Sequence, residues 1–261
     1  MTSSLTYVYC LLHAARRPAP RGVPEGMPEG TRPRVLEVDR HLWAIVSDVP
    51  ETAYGESELS RGLQDIEWVG ERAVSHEHVV EHFLSASSVL PMQLFTMFTS
   101  DERVVAHVRR NLPRIKRVLQ RVERKVEWGV RLTWDEKAAP APKGSARKSA
   151  GPRAPAVTGT AYLKGKRDSR DAGRVQLAAA RAEVAGVFRA ISRQASEARR
   201  RKDLERATPG SRLLLDAAFL VKSAKTVAFR SAVRKHARAL RSSGVSVSLT
   251  GPWPPYNFIG R

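Results

Sequence analysis

The chain has 261 residues, of which 42% are hydrophobic and 27% are charged. This is the composition of a globular protein of one large or two modest domains, and it excludes wholesale disorder. Cys10 is the only cysteine, which excludes a disulfide-stapled domain, a zinc ribbon and an iron–sulfur site. A long uncharged stretch, residues 83–100, is too polar for a bilayer helix, and residues 1–15 lack the basic start of a signal peptide. We therefore expect a cytosolic protein.

The net charge of +19 is concentrated in the second half of the chain. Residues 1–135 carry 18 basic and 18 acidic side chains, residues 136–157 carry a net charge of +4, and residues 158–261 carry +15. Such an excess indicates an acidic partner, either a protein or a nucleic acid. The preference for Arg over Lys also fits the codon usage of a GC-rich genome.

The first segments alternate in a way that favours strands. Leu5, Tyr7, Tyr9 and Leu11 lie on one predicted face of a strand. The elements predicted after it are a proline-rich loop at 16–33, a strand pair at 35–38 and 42–46, and a short helix at 56–63.

Helical spacing and capping residues define the next elements. Ser75 is predicted to cap a helix, and Ser100 and Asn111 are predicted to cap two more, with a β-type run at 89–98. Strict alternation of apolar and other residues over 126–134 predicts a strand with one buried and one solvent-exposed face.

The composition of residues 136–157, rich in Ala, Pro, Gly and basic side chains, predicts a linker. After it we expect a long helix at 172–207, then a strand at 212–221, a helix at 223–241 and a last strand at 245–249. Strand, helix and strand in succession form half of a ferredoxin-like split βαβ unit. The predicted organisation is therefore α+β, with domains at 1–135 and 158–261.

Two short patterns point to chemistry only weakly. His78, Glu81 and His82 match the H-x-x-E-H motif of the inverzincin metalloenzymes. No third metal ligand is evident nearby, so a metal-dependent hydrolase ranks third among the functional hypotheses. The basic run Arg199-Arg200-Arg201-Lys202 and the run at 234–238 are suited to phosphate or acidic protein surfaces. Aromatic residues do not interleave with them, which argues against a single-strand stacking platform.

The tail is the most specific segment. Its sequence is Gly251-Pro252-Trp253-Pro254-Pro255-Tyr256-Asn257-Phe258. Because proline has a fixed φ and no N–H group, we expect an extended polyproline path that does not continue a sheet. Its aromatic residues are expected to pack the C-terminus back onto its own domain.

These residues together resemble the gas vesicle protein GvpF/GvpL family over nearly the whole chain. The matching segments are Tyr7-Val8-Tyr9, His76 at the opening of a helix, Val89-Leu90-Pro91, Phe98, Glu127-Trp128-Gly129-Val130, Gly159-Thr160-Ala161-Tyr162-Leu163 and the tail. One departure is Leu94-Phe95, where the family tends to have Phe-Gly. If that glycine serves a turn with positive φ, the backbone here is expected to differ.

The resemblance implies a non-enzymatic accessory protein of gas vesicle formation, without cofactor or metal. It implies an N-terminal modified ferredoxin-like domain and a C-terminal α+β domain with long helices. The implied partners are the small hydrophobic shell protein GvpA and other accessory proteins. Strands 126–134 and 213–221 are the predicted edges for holding the shell protein, and residues 199–202 are predicted to steer acidic partners. The alternative is a basic nucleic-acid-binding protein.

Overall fold

A computed structural model of the chain describes residues 3–135, 138, 159–201 and 211–260. The chain forms two compact units, one of Met1–Glu127 with Pro252–Arg261 and one of Trp128–Gly251. Within the described residues, none of the helices combines the length and hydropathy that a membrane span requires.

The described part of the chain alternates short strands and helices. The strands are β1 (Ser4–His13), β2 (Arg34–Asp39), β3 (Leu42–Pro50), β4 (Ser88–Pro91), β5 (Met97–Phe98), β6 (Lys125–Asp135), β7 (Glu197–Arg200), β8 (Ser211–Lys222) and β9 (Val245–Trp253). The helices are α1 (Glu51–Tyr54), α2 (Glu56–Gly62), α3 (Ile66–His82), α4 (Asp101–Arg110), α5 (Leu112–Val122), α6 (Gly159–Ser192), α7 (Thr226–Leu240) and α8 (Tyr256–Ile259), with 3₁₀ turns at Ser223–Lys225 and Arg241–Ser243.

The first unit is built on a sheet in the order β2-β3-β1-β4, with β5 also paired to β1. Strand β1 is antiparallel to β3, β4 and β5. Helices α1–α3 connect β3 to β4, as in the second half of a βαββαβ motif. Between β1 and β2, however, the proline-rich segment forms a loop where that motif has a helix, because its prolines lack the N–H groups that a helix needs.

A β-bulge in β1 decides which residues face which helices. Val8 pairs with Val46 and Cys10 pairs with Ile45, so Tyr9 is the extra residue. Tyr7, Tyr9 and Cys10 therefore belong to one core. The predicted single face of Leu5, Tyr7, Tyr9 and Leu11 is wrong at Leu11, which packs into the core on the other face together with Val8.

Helices cover both faces of this sheet. Val79 and Val80 of α3 pack with Tyr7 and Tyr9 on one face. On the other face, helices α4 and α5 pack through a second set of apolar residues. This set consists of Val104, Val108, Ile115 and Leu119, with Val8, Leu11, Val38, Ala44 and Val46 of the sheet.

Two of the three predicted helix starts are confirmed. Ser100 accepts from the N–H of Arg103 at the start of α4. Helix α5 starts after Asn111 as predicted, but the predicted cap is wrong, because the Asn111 side chain forms no capping hydrogen bond and donates to the carbonyl oxygen of His107 instead. The predicted start at Ser75 is wrong, because α3 already begins at Ile66, where the side chain of Asp65 accepts from two backbone N–H groups. His76 consequently lies inside the helix and not at its opening.

The second unit has a four-stranded sheet in the order β7-β8-β6-β9. Helix α7 connects β8 to β9, and β6 lies between these two strands, which is the arrangement of a split βαβ unit. Aromatic rings join the helices to the sheet: Phe219 of β8 lies 5.8 Å from Phe188 of α6 and 5.5 Å from Phe229 of α7, between ring centroids. Gly244, at φ 72°, ends the helical segment before β9 as predicted.

The predicted helix over 172–207 begins earlier, at Gly159, and is wrong at residues 193–201, while residues 202–207 lie outside the described part of the chain. The chain turns after Ser192, and β7 pairs with β8 from Glu197 opposite Leu220 to Arg200 opposite Ala217. A sheet edge was available for pairing, and tertiary context therefore overrode the helical propensity of this Ala- and Arg-rich segment.

The two units differ from the predicted division at 135 and 158. Most of β6 belongs to the second unit, because the strand lies between β8 and β9. The tail belongs to the first unit. The predicted linker 136–157 lies outside the described residues except for residue 138.

The tail also departs from the predicted polyproline path. Strand β9 continues through Gly251 and Pro252 to Trp253, and α8 follows. Gly251 has φ 118°, a value that side-chain-bearing residues rarely adopt. Among the described residues β9 is a terminal strand of its sheet, and proline, which has no N–H group, is tolerated on edge strands.

Candidate functional site

The C-terminal tail is held in the first unit by two carboxylates, an arrangement that we call the C-terminal clasp. The backbone N–H of Asn257 donates to Oε2 of Glu127 at 2.8 Å, and the side-chain amide donates to Oε1 of the same carboxylate. The hydroxyl of Tyr256 donates to Oε2 of Glu77 on α3. Phe258 is fully buried. Clasp residues 130 and 179 positions apart in sequence therefore meet only in the folded unit.

A buried polar cluster lies in the same unit. The hydroxyl of Tyr7 and Nδ1 of His76 share a hydrogen bond of 2.7 Å. Tyr9 donates to Oγ of Ser47 at 3.1 Å and accepts from the N–H of Met27 at 2.8 Å. The rings of Tyr7 and Tyr9 lie 4.8 Å apart between centroids. Each hydroxyl thus has a partner, as burial requires.

Burial sets the protonation of this cluster. It lowers the pKa of His76 to about 4, against a smaller opposing effect of the Met92 backbone. It raises the pKa of Tyr7 and of Tyr256, and the neighbouring Glu77 carboxylate raises that of Tyr256 further. Burial is also the main cause of the raised pKa of Glu77. The imidazole and both phenols are therefore neutral at pH 7. The hydrogen bonds of Tyr7 with His76 and of Tyr256 with Glu77 position α3 and the tail.

A pocket of about 390 Å³ opens beside the clasp. Its lining combines the signature residues His76, Pro91 and Tyr256 with Glu77 and Ile259. Three of the predicted signature residues therefore line one pocket, which lies between the tail, α3 and β4.

Phe95 corrects one expectation about the backbone. Its φ is 64°, so the chain keeps the left-handed conformation that a glycine would favour, and the predicted difference in backbone is wrong. The ring stacks on Trp68, with centroids 5.4 Å apart and planes 25° apart. This contact offsets the cost of about 1–2 kcal/mol that a non-glycine residue has in this conformation.

The signature residues of β6 have a packing role in the second unit. A Cβ added at Gly129 would come within 2.6 Å of Oγ1 of Thr250, so a side chain at this position would require Thr250 to move. The ring of Trp128 lies 6.3 Å from that of Phe229. Tyr162 and Leu163 lie in α6, and their side chains are outside the described residues.

Comparison with known proteins identifies the family. The model of the family described as "Gas vesicle synthesis protein GvpL/GvpF" matches residues 5–260. The chain belongs to the GvpL/GvpF family. It is 29% identical over 263 residues to gas vesicle protein L of Streptomyces sp. (strain CB03234), with 99% of this chain and 94% of that protein covered.

Two solved GvpF structures share the fold. The crystal structure of GvpF from Anabaena sp. PCC7120 has a TM-score of 0.69 at 16% identity and covers 99% of this chain and 97% of that one. GvpF from Microcystis aeruginosa has a TM-score of 0.63 at 14% identity, with both chains covered completely. Membership in the GvpL/GvpF family gives this protein an accessory role in gas vesicles. These matches give the nucleic-acid-binding alternative no support.

Two side chains of the basic run that was predicted to bind partners contact other residues of this GvpL/GvpF protein. Nη1 of Arg201 lies 3.2 Å from Oδ1 of the buried Asp216, whose other oxygen lies 2.9 Å from Nη2 of Arg131. The guanidinium of Arg200 lies 4.5 Å from the ring centroid of Phe188. Arg199 lies beside it in β7, and Lys202 lies outside the described residues. The steering role of the run stays a prediction.

Sequence reasoning missed the carboxylates that hold the site. Glu127 alternates with the apolar residues of β6, which favours the solvent-exposed face of the strand, yet it is buried and binds Asn257. Arg72 is also buried, with its guanidinium 3.9 Å from the Trp68 ring centroid. The matching segment Glu127-Trp128-Gly129-Val130 contains Glu127 but does not indicate a contact with a residue 130 positions away. Nothing in the sequence pattern indicates that Arg72 is buried, although Trp68 lies only four residues before it.

His78, Glu81 and His82, the residues of the inverzincin motif, do not form a metal site. His78 is exposed, and the ring of His82 lies edge-on to Phe83 with centroids 5.0 Å apart. Among the described residues, no group of three or more His, Cys, Asp or Glu side chains is arranged to hold a metal ion.

Proposed function

We propose that this GvpL/GvpF protein binds the shell protein GvpA during gas vesicle formation by adding a strand of the shell protein to the outer edge of β9. A shell protein with one gas-facing side has apolar β-structure that pairs indiscriminately before it is incorporated. An accessory protein that lends a strand edge would hold such a subunit and release it to the growing shell.

The position of β9 in the sheet carries the proposal. Strands β6 and β8, which the sequence suggested as docking edges, each have neighbours on both sides, whereas β9 is a terminal strand among the described residues. It is nine residues long, and residues 242–260 contain no charged side chain although residues 158–261 carry a net charge of +15. A long uncharged edge is the kind that proteins normally protect from pairing.

The opposite edge of the same sheet is protected in the usual way. Strand β7 has only four residues, and Arg199 and Arg200 stand at its end. Short length and positive charge both disfavour the addition of another strand. The contrast between the two edges favours β9 as the docking strand.

Lysine substitutions on β9 test the proposal. Ser246 and Ser248 are exposed and share one face of the strand. In the variant Ser246→Lys/Ser248→Lys we expect the affinity for GvpA to fall at least about tenfold, because two charges would have to be desolvated against the added strand. The measurement is a titration of purified, nuclease-treated protein with GvpA.

The control variant Ser231→Lys/Ala239→Lys adds the same charge to exposed positions of α7 in the same unit. It is expected to bind GvpA like the unmodified protein. Unchanged affinity of the β9 variant, or an equal loss in both folded variants, would contradict docking at β9.

A further inference from the structure

The neutral balance of the first half conceals two oppositely charged helical layers. Residues 51–82, which form α1–α3, contain eight Asp or Glu and two Arg residues, a net charge of −6. Residues 101–122, which form α4 and α5, contain two acidic and seven basic residues, a net charge of +5. The two helical segments therefore differ by eleven charges within one unit.

These layers lie on opposite faces of the sheet. Tyr7 points to the core that contains Val79 and Val80 of α3. The next residue, Val8, points to the core that contains residues of α4 and α5. Because successive strand side chains point to opposite faces, the acidic helices cover one side of the sheet and the basic helices cover the other.

Few of the basic side chains are neutralised locally. Lys116 is paired with Asp39 at 2.9 Å, and Nε of Arg109 donates to the carbonyl oxygen of Val38 at 3.2 Å. Among the described residues, Arg110, Arg114 and Arg117 form no ion pair, and all three are exposed. Arg114 and Arg117 are three residues apart in α5 and therefore lie on one side of that helix, and Arg110 is the last residue of α4.

The acidic surface also has apolar anchors. Ile66 is 86% exposed, Leu63 58% and Val74 53%. Ile66 and Val74 lie on one face of α3, four residues to either side of Gly70, where an added Cβ would meet nothing within 4 Å. Exposed apolar side chains rimmed by charge are typical of protein interaction sites.

We propose that copies of this chain associate head to tail, with the acidic α2–α3 surface of one copy against the basic α4–α5 surface of the next. The second copy is the occupant because the complementary surface is part of the same unit, opposite in sign and nearly equal in charge. The exposed Pro113 and the aliphatic stems of the surrounding arginines provide apolar area for Ile66 and Leu63. Since the two surfaces differ, the contact is heterologous and leaves a free surface at each end of the assembly.

Sedimentation velocity of the full, nuclease-treated chain tests this. The monomer mass is 28.9 kDa. At low ionic strength we expect the average mass to rise with protein concentration past that of a dimer, and to fall toward the monomer in high salt. A chain that stays monomeric at low ionic strength would overturn the proposal.

Two variants, each altering one surface, define the interface. Ile66→Ser/Glu67→Lys alters the acidic surface, and Arg114→Glu/Arg117→Glu alters the basic surface. Each variant alone is expected to be monomeric. An equimolar mixture retains one intact surface of each kind and is expected to stop at a dimer of about twice the monomer mass. Continued growth of either variant alone, or a mixture of folded variants that stays monomeric, would overturn the proposal.

A matched control separates this surface from the basic second unit. The variant Arg234→Glu/Arg238→Glu makes the same charge change at exposed positions of α7 and is expected to associate like the unmodified chain. Loss of association in this control, with association retained when Arg114 and Arg117 are altered, would assign the contact to the second unit instead. Should circular dichroism show that the reversal of Arg114 and Arg117 disturbs folding, Arg114→Gln/Arg117→Gln serves in its place, with the same outcomes.

Discussion

The two units bury different chemistry. The first unit encloses hydroxyl, imidazole and guanidinium groups from Tyr7, Tyr9, His76 and Arg72, which have specific partners. The second unit is held mainly by rings and aliphatic side chains, with Asp216 as its buried carboxylate among the described residues. The stability of a core with buried polar groups depends on hydrogen-bond geometry and on pH. The stability of an apolar core depends chiefly on how completely its side chains fill the volume. We therefore expect substitutions and changes of pH to destabilise the two units differently.

The largest expected effect tests whether the tail stabilises the first unit. Phe258→Ala should lower the free energy of unfolding by about 3–5 kcal/mol, because a fully buried ring leaves a cavity. Hydrogen exchange should show the loss of protection in the first unit, although residue 258 follows the second unit in sequence. Phe219→Ala is the counterpart, with a loss of similar size in the second unit. If Phe258→Ala lowered hydrogen-exchange protection in the second unit alone, the tail would not stabilise the first unit as we expect.

The next effect is a pH dependence that belongs to the first unit. His76 has a pKa of about 4 in the fold and about 6.5 in the unfolded chain, so the folded state resists protonation. This stabilisation, about 3 kcal/mol, is fully present above pH 6.5 and is lost as the pH falls from about 6.5 to about 4. Denaturation measured across this range should reveal the slope.

A neighbouring histidine provides the control for this slope. His76→Gln should reduce the slope between pH 6.5 and 4, whereas His78→Gln, an exposed position on the same helix, should leave it unchanged. An equal slope in both variants would assign the pH dependence to other groups.

A smaller effect tests the buried charge of the second unit. Asp216→Asn should cost about 2 kcal/mol, because the carboxylate accepts hydrogen bonds from Arg131 and Arg201 while both guanidinium groups remain partly exposed. The measurement is chemical denaturation with hydrogen exchange of β6 and β8. Glu183→Gln, at an exposed carboxylate, should stay within about 0.5 kcal/mol, and an equal cost in both variants would refute a special role of Asp216.

The smallest effect separates backbone strain from ring packing at Phe95. Phe95→Gly and Phe95→Ala both lose the stack on Trp68, but only glycine is relieved of strain at φ 64°. Phe95→Gly should therefore be more stable than Phe95→Ala by about 1 kcal/mol in chemical denaturation. The reverse order would mean that the conformation of this turn is not retained in the variants.

Local signals predicted much of the fold correctly. Alternation identified β6, and turn and cap residues identified α4, α5 and the β8-α7-β9 succession. The start of α3 was misplaced because the helix has two candidate caps, Asp65 and Ser75, and both suit an N-cap. The candidate site was harder to predict. The signature segments include Glu127 but do not indicate that it holds the tail, and Glu77 has no local pattern.

The sequence by itself determined the family, the mixed α/β character and the uneven charge, because these depend on composition, short-range periodicity and recognisable segments. Only the tertiary structure decided that β1 contains a bulge at Tyr9, that β7 is a strand, that the tail joins the first unit and that the charges of this unit lie in two opposed layers. Each of these features depends on contacts between residues that are far apart in sequence. Pairing and burial across the fold determine such choices, and local propensity does not.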